Sequence, residues 1–124
     1  MKTLLVALLL CCACAKQDAA LNVTITGGFR IPQDADKLSL YVYDGTAQIS
    51  KRDWCATAAT GCEALPPQAA LTGSVTLVES GGNHPHVKLN AELRQGALVV
   101  GLGSVLADFS SGQTTTVQLT LTRP

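Results

Sequence analysis

Between Val87 and Arg94 the chain alternates without a slip. Val87, Leu89, Ala91 and Leu93 are apolar, while Lys88, Asn90, Glu92 and Arg94 are polar. Successive side chains of a strand point to opposite faces, so this period sets one apolar face inward and one polar face toward water. A helix would scatter the same residues around its axis. The pattern recurs. Leu21, Val23 and Ile25 alternate with Asn22, Thr24 and Thr26. Leu38, Leu40 and Val42 alternate with Ser39, Tyr41 and Tyr43, and Val117, Leu119 and Leu121 with Gln118, Thr120 and Thr122. Val75 and Leu77 mark a further short strand.

Turn residues punctuate these runs at Gly27-Gly28, Asp44-Gly45, Ser80-Gly81-Gly82-Asn83 and Gln95-Gly96. Asp44-Gly45 is a strong hairpin signal, with Ala47–Lys51 as the return strand. Ala97 to Leu102 is apolar at nearly every position, which predicts a strand buried on both faces and central in its sheet. Twelve Thr among residues 16–124 suit strand faces exposed to water. The expected fold is all-β: a two-sheet antiparallel β-sandwich of six or seven strands. A closed β-barrel is the alternative.

The first 15 residues are different in kind: 13 of them are apolar, against 45 of the remaining 109. Lys2 precedes Leu4–Leu10, and small residues and cysteines follow, the layout of a secretory signal peptide. From Leu4 to Ala15 a helix would span about 18 Å. That is too short for a bilayer core of about 30 Å. The ending Leu10-Cys11-Cys12-Ala13-Cys14 resembles the lipobox of bacterial lipoproteins, a Leu, two small or aliphatic residues, then the Cys that receives lipid. Ala13 fits the position before Cys14, whereas Cys11 and Cys12 stand where Leu and Ala or Ser are usual. The resemblance implies lipidation at Cys14, with Cys12 the second choice, and Ala15 in place of Asp after it implies the outer membrane. Ala13-Cys14-Ala15 also fits ordinary signal peptidase, which would leave a soluble secreted protein cut after Ala15. The domain organisation is then a signal peptide at 1–13, a lipidated N-terminus and short tether at 14–20, and a sandwich at 21–124. The strand pattern resembles the immunoglobulin-like and transthyretin-like modules of exported bacterial proteins, although Trp54 and the late cysteines lack antibody-type spacing.

Residues 51–71 break the strand rhythm and read as a loop bounded by Cys55 and Cys62. Export into an oxidising compartment favours a disulfide between them. It closes an eight-residue loop, worth about 2.5 kcal/mol of chain entropy. Trp54, beside it, is a candidate partner-binding anchor or a plug at the sandwich edge.

Chemistry-bearing residues are few. His84 and His86 flank Pro85, and no G-x-S-x-G elbow occurs. The two imidazoles could donate to a transition metal, but two ligands do not make a tight site. Asp34-Ala35-Asp36 and Asp44 fall short of the six to eight oxygens that calcium takes. Asn22-Val23-Thr24 matches a glycosylation sequon that carries no meaning in bacteria. With 9 Lys+Arg against 9 Asp+Glu there is no basic surplus for nucleic acid. The expected function is a non-catalytic binding or structural module of the cell envelope. Its cofactor is none beyond the covalent lipid on Cys14, and its partner is the membrane together with an envelope protein or polymer. A metal-handling role through His84 and His86 is the alternative.

Overall fold

A computed structural model describes residues 18–79 and 84–124. Residues 1–17, with the expected leader and its Cys12 and Cys14, and residues 80–83, expected as a turn, lie outside the described residues. Eight strands follow in order: β1 (Ala19–Gly27), β2 (Lys37–Asp44), β3 (Ala47–Cys55), β4 (Glu63–Ala64), β5 (Leu71–Glu79), β6 (His86–Gln95), β7 (Leu98–Asp108) and β8 (Thr114–Thr120). They form two sheets, β5-β1-β8 and β4-β3-β2-β6-β7. The all-β sandwich read from the alternation is the observed fold, with about eight strands.

Each sheet buries one face. Leu21, Val23 and Ile25 of β1 meet Leu38, Leu40 and Val42 of β2, and Val87, Leu89, Ala91 and Leu93 of β6, in one apolar core. Leu21, Val23, Leu40, Leu89 and Leu93 are fully excluded from water. The hairpin glycines Gly45 and Gly96 adopt φ of 60° and 59°, conformations open to glycine at no steric cost. The two sheets share no continuous ladder, only an isolated bridge between Leu102 and Thr122, so the barrel alternative fails among the described residues.

Three local expectations are corrected. The pairing is not antiparallel throughout: β1 runs parallel to β8, and Trp54–Cys55 of β3 parallel to β4. The first and last described strands are neighbours in one sheet and run the same way, Ala20 beside Thr114 and Thr26 beside Thr120. Second, β1 already begins at Ala19, inside the segment expected to be tether, and β3 runs on to Cys55, inside the segment expected to be loop. Third, the apolar run expected at a sheet centre lies in β7, the edge of the five-stranded sheet. Leu98, Leu102 and Leu106 are 67%, 43% and 78% exposed.

The reason lies in the small residues between those leucines. Gly103 pairs with the inward-facing Ala91, so its missing side chain is the inward one. A Cβ there would stand 2.5 Å from the Thr120 carbonyl oxygen. The β8 backbone thus packs directly onto β7, and Leu102 and Leu106, paired with Glu92 and Lys88, take outward positions. Gly103→Ala should lower the urea midpoint, with a loss of about 1–3 kcal/mol. Gly73→Ala, whose Cβ would meet nothing within 4 Å, should not.

Candidate functional site

The bridge at Leu102–Thr122 closes one side of the sandwich. On the opposite side β3 and β4 face β5 without pairing to it, and a cleft opens between the sheets. Trp54 stands there. It pairs with the inward-facing Leu38 on one side and with Glu63 on the other, so its ring turns toward the interior. It is half-buried and packs on the core.

The Cys55–Cys62 disulfide, with its Cα atoms 5.8 Å apart, folds the chain back so that β4 can run beside Trp54. The Leu65 amide then donates to the Cys55 carbonyl at 2.8 Å, and the Leu65 side chain is buried. Arg52 reaches Glu63 at 2.8–3.2 Å and lays its guanidinium 5.6 Å from the Trp54 ring centre. The resulting cleft of about 200 Å³ is lined by Trp54, Leu38, Leu65, Pro66, Gln68 and Val75 among others. Trp54 therefore fills the open edge and lines a cleft at once.

The far wall hangs on a tight turn. Ile31 and Gln68 exchange backbone hydrogen bonds at 2.9 and 3.1 Å, and Ile31 sits between Arg30 and Asp34. The Arg30 amide donates to Asp34 at 2.7 Å, and its guanidinium lies 3.2 Å from the same carboxylate. Hydrogen bonds from the Arg30 side chain, then from its backbone, hold the Asp34 carboxyl below its ordinary value of 3.8.

The other sequence candidates are drawn apart. His84 Nδ1 lies 2.6 Å from Asp44 Oδ2, and His86 Nδ1 lies 2.7 Å from Asp108 Oδ1. Each imidazole has its own carboxylate. No group of three or more His, Cys, Asp or Glu positioned for a metal occurs among the described residues. Asp36 accepts from the Gly96 amide at 3.3 Å, so Asp34, Asp36 and Asp44 serve three separate partners. Asn22 accepts from the Thr76 hydroxyl at 2.8 Å on the outer face of β1.

A second concavity was not visible from single strands. On the outward face of the five-stranded sheet, register aligns Lys51, Tyr41, Asn90 and Ser104 in one row across β3, β2, β6 and β7. Tyr43 and Lys88 pair in the next row, and Glu92 and Leu102 in the row on the other side. All of these but Lys51 line a trough of about 540 Å³. The signal that could have found it is Tyr41-x-Tyr43, two rings on one strand face. No family model, curated protein or solved structure matches the chain.

Two outcomes follow from the cleft. Replacing Cys55 and Cys62 together by Ser should cost about 2–3 kcal/mol in equilibrium unfolding, because the closed loop constrains the unfolded chain. Asp34→Asn should lower the melting temperature at pH 6. Because the folded carboxyl titrates below its ordinary 3.8, its contribution is present above that pH and disappears as pH falls through the depressed value. The difference between Asp34→Asn and the parent should therefore be smaller at pH 3 than at pH 6. A difference that is the same at both pH values would contradict it.

Proposed function

We propose that this chain is an exported, lipid-anchored, non-catalytic binding module of a bacterial cell envelope. The observation that carries it is an apolar leader ending in Ala13-Cys14 ahead of a sandwich whose two later cysteines are joined. Stable disulfides belong to oxidising compartments, which supports export. A single acyl chain binds membranes only marginally, so a diacylglyceryl thioether with an acylated amine at Cys14 supplies the retention. Without Lys2 the exported part carries 8 basic against 9 acidic side chains, which supports attachment by lipid rather than by surface charge.

The domain's role in this proposal is to hold a partner. Support comes from the two concave surfaces, one lined by Tyr41 and Tyr43 and the other by Trp54, each with a few polar groups, the mixture typical of binding sites. Radiolabelled palmitate and membrane fractionation test the anchor. The parent chain should be labelled and pellet with membranes, whereas Cys14→Ser should be unlabelled and accumulate as the longer precursor. Labelling that survives Cys14→Ser but not Cys12→Ser moves the site. A parent chain that is unlabelled and cut after Ala15 overturns the anchor in favour of a secreted protein.

A further inference from the structure

We propose that the outward face of β2, β6 and β7 binds an uncharged oligosaccharide. The inference rests on the binding-module reading, but not on the lipid anchor. Tyr41 and Tyr43 stack with ring centres 6.4 Å apart and planes 27° apart, and both remain half-exposed. Lys51 lies 5.4 Å from the Tyr41 ring and holds it in place. A paired aromatic wall offers broad apolar area beside phenolic hydroxyls. The C–H faces of a pyranose ring need that area, and the ring hydroxyls need directional donors and acceptors around it.

The trough floor supplies them. The Ser104 hydroxyl donates to Asn90 Oδ1 at 2.8 Å, which fixes the amide and turns its N–H groups away from Ser104. Arg94 holds Glu92 through Oε1, which keeps the second carboxylate oxygen as an acceptor. The phenol of each tyrosine can donate or accept. Leu102, 43% exposed, forms an apolar rim across from the rings. From β2 to β7 is two strand spacings, about 9–10 Å, the width of a single extended chain.

Charge argues for a neutral ligand. Glu92 pairs with Arg94, and Asp53 with Lys51 at 3.7 Å, so these charges are neutralised within the sheet. Lys88, the one cation lining the trough, has no ionic partner among the described residues and offers its ammonium N–H groups to ring hydroxyls. Backbone pairing argues against a peptide strand. β2 and β6 are each paired on both sides, so a peptide laid over the tyrosines finds no backbone partner there, and the open edge of β7 lies to one side of the rings. A second copy would have to bury Lys88 and the Glu92–Arg94 pair, at a desolvation cost that two exposed leucines do not offset.

The test is isothermal titration of the purified full chain in a sugar-free detergent with cellotetraose, maltotetraose and chitotetraose. At least one should bind with a Kd below about 10 mM. Tyr41→Ala with Tyr43→Ala should weaken that binding at least about tenfold, and Asn90→Ala by a few-fold to about tenfold. Tyr41→Phe with Tyr43→Phe keeps the stack and should lose less, which separates recognition from misfolding. Asn22→Ala, on the outer face of the other sheet, should leave the affinity unchanged. The proposal is overturned if none of the three sugars binds, or if Trp54→Ala abolishes binding and the tyrosine and Asn90 variants do not. Release of new reducing ends would instead overturn the non-catalytic reading while leaving the binding face intact.

Discussion

The contact on which the molecule depends is that of β1 with β2 and β6 across the sandwich. Leu21, Val23 and Ile25 are at most 1% exposed, and they close over Leu40 and Leu89, which are fully buried. Apolar burial is worth about 25 cal/mol per Å², so this seam dominates the favourable side of folding. It also fixes orientation. With period 2, once Leu38, Leu40 and Val42 face inward, Tyr41 and Tyr43 must face outward. A one-residue slip of β2 would bury the tyrosines and destroy the trough together with the core.

The two sides of the sandwich are held differently. At the β7–β8 side the missing Gly103 side chain lets backbones meet, and Leu102 and Thr122 exchange hydrogen bonds at 2.9 Å. At the β3–β5 side there is no such bond, and the gap is occupied by Trp54, Leu65 and the Arg52–Glu63 pair. That ion pair is largely exposed and contributes little by itself, roughly 1 kcal/mol at most. The disulfide therefore matters more, because it sets β4 in place for Arg52 to reach.

Much of the fold was legible because strand alternation is a local property. β6 follows the Val87–Arg94 pattern residue by residue, and the Asp44-Gly45 and Gln95-Gly96 hairpins fall where their turn chemistry puts them. The Cys55–Cys62 pair was legible from the number of late cysteines and the expectation of export. The position of β7 was not. An apolar run says that side chains avoid water in many contexts, but not which strand stands on its far side. Here nothing pairs there except Thr122, and the outward leucines stay exposed. The Tyr41–Asn90–Ser104 row was hidden for a related reason. Its members are 14 to 63 residues apart, and only inter-strand register aligns them. Trp54, by contrast, was marked early because the chain has one Trp, and its two readings merge in a residue that both packs and lines a cleft.

The central claim is that recognition happens through side chains on the outward sheet face, opposite the buried seam. The most direct measurement is a map of amide and indole chemical-shift changes in the ¹⁵N-labelled chain on addition of the tightest-binding tetrasaccharide. The account predicts shifts at Tyr41, Tyr43, Lys88, Asn90 and Ser104, including the Asn90 side-chain amide, with the Trp54 indole N–H unmoved. Shifts centred on Trp54, Leu65 and Gln68, with the tyrosine rows silent, would contradict it.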